Sequence, residues 1–172
     1  MQKLLFTITI IAVLVFISGC DKGIEPLPAS PSGPTGFSGK VTFTGAWPAD
    51  VTRTHIIVFK NPIERITDFS IQNLAFVVDP IAYNSTEFSY SSETNNLLSL
   101  TLTAGIYKYI VVAQSKTPTL SLNRNDWIVV GLYYKDGDMS KPEEMTINQG
   151  EITTGINITV DFNNLPPQPV GE

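Results

Sequence analysis

The chain is short of the side chains on which most enzyme chemistry rests. It has one cysteine, Cys20, and one histidine, His55. A lone cysteine excludes any disulfide within the chain. A lone histidine could serve a metal site or a Ser-His-Asp arrangement only with partners at fixed geometry, and no spacing near His55 identifies them. Neither G-x-S-x-G nor H-E-x-x-H occurs. Positive charge is also scarce: 11 Lys and Arg stand against 16 Asp and Glu, for a formal net charge of −5. The basic residues are scattered rather than gathered in a stripe that could follow phosphates, so nucleic acid is not expected as a partner. The run GPTGFSGK at residues 33–40 fails as a phosphate-binding loop. Its first glycine would have to stand at Pro34, and Val41 occupies the place of the required Ser or Thr. No long helical periodicity is evident.

One long apolar run is present, at residues 4–17, interrupted only by Thr7 and Thr9 and preceded by Lys3. A basic start followed by an apolar stretch of this length is the pattern of a secretion signal. The run is shorter than the roughly 20 residues a spanning helix needs. It ends Ile17-Ser18-Gly19-Cys20, which resembles the lipobox of bacterial lipoproteins: an aliphatic residue, two small residues and a cysteine. The resemblance implies that residues 1–19 are removed, that Cys20 receives diacylglycerol, and that the new amine is acylated too. Two or three acyl chains anchor stably, at roughly 0.8 kcal/mol per buried methylene. The expected address is the cell envelope, the outer membrane before the inner, although Asp21 is the residue that retains lipoproteins at the inner membrane in enteric bacteria. Loss of Lys3 takes the net charge from −5 to −6.

Residues 21–36 read DKGIEPLPASPSGPTG, with Pro26, Pro28, Pro31 and Pro34 among Gly, Ser and Ala. Such a stretch cannot bury apolar area and favours extended geometry, so residues 20–36 read as a lipidated cysteine and a spacer reaching up to about 50 Å at roughly 3.1 Å per residue. Residues 163–172 (NNLPPQPVGE) are similar in composition and read as a disordered tail.

Between them, residues 37–162 carry an almost purely β signal. Val41 and Phe43 alternate with Lys40, Thr42 and Thr44; Leu98, Leu100 and Leu102 with Ser99, Thr101 and Thr103; Ile156, Ile158, Val160 and Phe162 with Asn157, Thr159 and Asp161. Period two with one apolar face predicts half-buried strands. Residues 56–59, 110–113 and 127–134 are apolar on both faces and read as central strands. Residues 86–91 and 143–148 read as shorter strands, and residues 63–79 as a short helical turn or an extra strand. Many short strands with turn signals predict an antiparallel sandwich.

The domain resembles the transthyretin-like, carboxypeptidase-regulatory type of Greek-key sandwich. Ser38-Gly39-Lys40-Val41-Thr42-Phe43 is similar to that family's first strand. His55 onward matches its second, and Gly105-Ile106-Tyr107 its L-x-x-G-x-Y step. The stretch 155–162 is similar to its closing strand. The resemblance implies seven to eight strands in an all-β, antiparallel Greek-key sandwich. The family is a scaffold with many roles, so function must be argued from a site. Residues 61–85 form a longer connection than the family has, which leaves strand order open there.

Few residues recommend themselves for a site. Asp136 and Asp138, followed by Glu143 and Glu144, could offer oxygens to a cation, but Asp-Gly is the common hairpin dipeptide. Glu64, Asp68 and Asp79 are scattered acids that a glycosidase would need across one cleft. Trp47, Tyr133 and Tyr134 could stack on a sugar or a partner protein. Trp127 reads as a core plug, and Trp47-Pro48 as a fold over one end of the sandwich. No catalytic residue and no cofactor is expected. The expected role is non-catalytic: a lipid-anchored module binding an envelope protein or a polysaccharide. The alternative is a small hydrolase or metal-dependent enzyme with a loop-built site.

Overall fold

The structure is a computed structural model and describes residues 31–170. The expected signal of residues 1–19, the lipidated Cys20 and most of the spacer lie outside the described residues. The strands are β1 (Gly36–Thr44), β2 (Arg53–Phe59), β3 (Leu74–Val77), β4 (Glu87–Ser91), β5 (Gly105–Tyr107), β6 (Tyr109–Ser115), β7 (Trp127–Leu132), β8 (Met145–Ile147), β9 (Ile152–Thr153) and β10 (Ile158–Asp161). The domain is all-β: among the described residues the only helical pieces are 3-10 turns at Ile66–Asp68 and Arg124–Asp126. The stretch 63–79 therefore holds both of the forms expected for it, a helical turn and a strand.

Seven strands form one sheet in the order β3-β2-β6-β7-β10-β1-β4, with β9 added to β1 and β5-β8 as a separate two-stranded ribbon. The runs that are apolar on both faces became β2, β6 and β7, which sit side by side. One face of this trio (Ile56, Val58, Ile110, Val112, Val130) joins Val41, Phe43, Ile158 and Val160 in the larger core. The other face (Ile57, Phe59, Val111, Ala113, Val129) forms a second cluster under Ile63, Phe69, Leu97 and Tyr134.

The sheet curls until its ends meet. Phe37 on β1 lies edge-to-face against Phe76 on β3, centroids 5.5 Å apart, although five strand steps separate the two elements in the sheet. Two irregularities interrupt the ladder, one at Val58 and Phe59 between β2 and β3 and one at β7. A register shift between Val112 and Ala113 sets Val112 opposite Gly131 but Ala113 opposite Val129, leaving Val130 as an extra residue. Gly131 is then the single residue of β7 in register with β10, opposite Val160. A Cβ at position 131 would stand 2.8 Å from Val160 Cγ2 and 2.9 Å from Ile158 Cγ2. A bulge followed by a glycine is how a sheet turns a corner without tearing its ladder.

The all-antiparallel expectation needs correction. β1 runs parallel to β10, from Val41 opposite Ile158 to Thr44 opposite Asp161, and parallel to β9 at Gly36 and Phe37. The sheet is mixed. Alternation identifies the buried face of Val41-Phe43 and of Ile158-Val160, but it carries no information on which way the neighbouring strand runs.

Both ends of the described chain are held. Gly36 N–H donates to Glu151 O at 3.1 Å, and Thr35 Oγ1 accepts from Gly150 N–H at 2.8 Å. Beyond β10, tail residues 163–170, read from the sequence as disordered, run along the open edge of β7. Gln168 accepts from Val129 N–H at 2.9 Å and donates to Val129 O at 2.8 Å, so one side-chain amide stands in for a strand. The chain there is rich in proline (Pro166, Pro167, Pro169), which cannot donate to a ladder.

Candidate binding groove

The residues singled out from sequence are not brought together. Tyr133 packs on the larger core and Tyr134 on the second cluster, because successive residues of an extended chain face opposite ways. Trp47 lies elsewhere, against Phe43, Phe162 and Tyr83, with its indole N–H donated to Ser85 O at 3.1 Å. Asp136 and Asp138 sit in the hairpin after β7, where Asp138 N–H donates to Lys135 O at 3.0 Å. The Asp138 carboxylate pairs with Lys141 at 2.8 Å and accepts from Ser140, which together hold it well below the usual carboxylate range. Asp68 closes its own loop, accepting from the N–H groups of Glu64 and Arg65 at 3.1 and 2.8 Å. Among the described residues no three His, Cys, Asp or Glu side chains converge as metal ligands do.

His55 is fully buried on β2, beside the Trp127 ring at 6.1 Å. Its Nδ1 meets Val78 O at 2.9 Å, and its Nε2 has no partner. Burial disfavours the imidazolium and lowers its pKa from 6.5, more than the Val78 carbonyl raises it. The unfolded chain therefore takes up this proton first as pH falls. The stabilising contribution is complete above about pH 6.5 and is lost below it, by up to about 1.4 kcal/mol per pH unit until the folded-state value is reached. Thermal melts between pH 7.5 and 5.5 are expected to show this decline, and His55→Asn is expected to flatten it.

Sequence reasoning missed a groove on the outer face of the β2-β6-β7 trio. Its floor is Ile57, Phe59, Val77 and Trp127 from the strands, with Phe69 and Leu74 beside them. Three connections supply its walls: Ser70 and Ile71 before β3, Leu98 and Leu100 before β5, and Leu120, Ser121 and Leu122 before β7. The cavity measures about 270 Å³. Four of its aliphatic side chains stand out into solvent: Ile71 is 61% exposed, Leu98 41%, Leu120 41% and Leu122 66%. Leaving aliphatic surface in water costs about 25 cal/mol per Å², so a cluster on the rim of a concavity marks a place built for contact.

The loops are shaped by their own hydrogen bonds. Asn96 donates to Leu100 O at 2.8 Å and accepts from Leu100 N–H at 3.0 Å, holding Leu98 outward. Ser121 Oγ is hydrogen-bonded to the Asp126 carboxylate, and Ser121 O accepts the Trp127 indole N–H at 2.9 Å. These bonds fix the Leu120-Ser121-Leu122 rim to the groove floor. The sequence signal that could have found the site is the aliphatic pair Leu120 and Leu122, set among Thr, Pro, Ser and Asn in a stretch too short and too rich in turn residues for a strand.

A second hollow of about 280 Å³ lies near the same end of β7 but on the sheet's other face, walled by Pro48, Val51, Ile128 and Leu165 together with Lys116 and Asp126. It mixes charge with apolar area. No family model, curated protein or solved structure matches the chain.

Proposed function

We propose that this chain is a lipid-anchored module of the cell envelope whose role is non-catalytic binding, and that the groove walled by Ile71, Leu98, Leu120 and Leu122 is where it binds. The carrying observation is the convergence of four exposed aliphatic side chains from three separate connections on one concavity floored by the core. The chemistry of that lining speaks for an apolar ligand and against polysaccharide, which needs hydrogen-bonding side chains or flat aromatic faces at the contact. Trp47, Tyr133 and Tyr134 supply no common face for a sugar.

The anchor part of this reading rests on Ile17-Ser18-Gly19-Cys20. Cys20→Ala is expected to abolish incorporation of labelled lipid and to leave an uncleaved precursor; a variant that still labels and matures would refute lipidation. The domain itself reads as a sandwich-like scaffold of the transthyretin-like, carboxypeptidase-regulatory type. The facing halves of the curled sheet support that, and the parallel entry of β10 beside β1 is its departure from the expected plan.

Binding in the groove is tested in cells with a photo-crosslinking side chain in place of Leu98. The captured material is to be analysed for proteins and lipids together. Ile71→Asp combined with Leu122→Asp is expected to cut capture at least tenfold. Both positions are exposed, so stability should change by no more than about 0.5 kcal/mol each. Undiminished capture of the same material by the double variant would sink the groove as the site.

A further inference from the structure

We infer that the groove holds a single unbranched alkyl chain of the kind carried by a fatty acid or a lysolipid, drawn from the membrane beside the domain. This rests on the groove being the binding site and names what fills it.

Hydrogen-bond accounting narrows the occupant. Three buried side-chain atoms have no partner among the described residues, His55 Nε2, Gln114 Nε2 and Arg124 Nε, and none of these residues lines the groove. Of the two polar residues that do, Ser121 is committed to Asp126 and Trp127, and Ser70 O accepts from the N–H groups of Asn73 and Leu74, which leaves the Ser70 hydroxyl as the one side-chain group there to meet a polar ligand. A peptide segment lying in the groove would bury several amides, and a sugar several hydroxyls, against a lining that offers few side-chain hydrogen-bonding groups. A polymethylene chain asks for no partner.

Size narrows it further. A volume of about 270 Å³ is roughly nine times the ~30 Å³ share of a liquid water. A methylene occupies nearly the same space, so the groove suits an alkyl segment of about eight to ten carbons.

Supply follows from the chain that precedes the described residues. From Cys20 to Pro31 there are eleven peptide steps, at most about 40 Å when extended. With Cys20 lipidated, Pro31 stays within that distance of a bilayer, where alkyl chains are the most abundant apolar ligand.

The test uses the chain from residue 20 onward with Cys20→Ser, which contains every described residue and needs no detergent. It is titrated with 12-bromododecanoate below its micellar concentration. Trp127 lies on the groove floor and Trp47 does not, so saturable, one-to-one, partial quenching of tryptophan fluorescence is expected. Ile71→Asp and Leu122→Asp, on different loops, should each weaken binding at least tenfold with unchanged melting, and 6-bromohexanoate should bind at least tenfold more weakly. Absence of saturable quenching, or quenching indifferent to both variants, would overturn the assignment. Should dodecanoate fail while the probe at position 98 still captures a protein in a manner that Ile71→Asp and Leu122→Asp abolish, the alkyl chain falls and the groove stands. Should both fail, both readings fall.

Discussion

Phe37→Ala is expected to lower the stability of the domain by about 3–5 kcal/mol, read from the midpoint of urea unfolding. Phe37 has no exposed surface. Its ring touches Phe76 at 5.5 Å and Tyr90 at 5.8 Å, both edge-to-face. The Phe76 contact joins the first strand to the far end of the sheet, while Tyr90 lies on the neighbouring β4, so truncation opens a cavity where the curl closes and where neither half can collapse onto the other. A double-mutant cycle with Phe76→Ala should return a coupling of about 0.5–1.5 kcal/mol, the double variant losing that much less than the sum of the two single losses. A loss below about 1 kcal/mol for Phe37→Ala would mean that the two halves do not depend on this contact.

Gly39→Val is expected to cost about 3 kcal/mol or more. A Cβ at position 39 would lie 2.0 Å from the Ile156 carbonyl oxygen and 3.0 Å from the Tyr90 hydroxyl. The obstruction is backbone and cannot rotate away. The segment leading into β10 crosses β1 here, held by Ile156 N–H to Ser38 O at 3.1 Å and by the Tyr90 hydroxyl to Ile156 O at 2.5 Å. A side chain at 39 would lift that segment, break both bonds and strand the Tyr90 phenol. Circular dichroism and thermal melting would report the loss; a variant that melts within a few degrees of the parent would show that the crossing can shift at little cost.

Much of the strand content was legible because burial in a sheet leaves a period of two. Val41 and Phe43 are buried beside an exposed Thr44, and Ile156, Ile158 and Val160 are buried between exposed Asn157 and Thr159. The runs without alternation became the strands covered on both faces. The same rule misled at Leu98, Leu100 and Leu102, which alternate but lie outside any strand. Asn96 takes both backbone hydrogen bonds of Leu100, and Ser99 adopts a φ of +51°, so the segment satisfies itself locally and needs no neighbouring strand. Its leucines are freed for the groove. Strand direction was not legible at all, and neither was the groove, whose walls come from three connections remote in sequence and meet only once the sheet has folded.

The pairing of β1 with β10 also dictates the order in which the molecule can be completed. Lys40 N–H finds its acceptor, Asn157 Oδ1, 117 residues further along the chain. A polypeptide emerging N-terminus first therefore holds its opening strand without its inner neighbour until almost the last residue arrives, and non-local pairing of this kind is slow to form. If residues 1–19 direct secretion, as their sequence implies, that delay leaves the chain unpaired at β1 during export. The fold can close only once residues 157–161 are free to pair with β1.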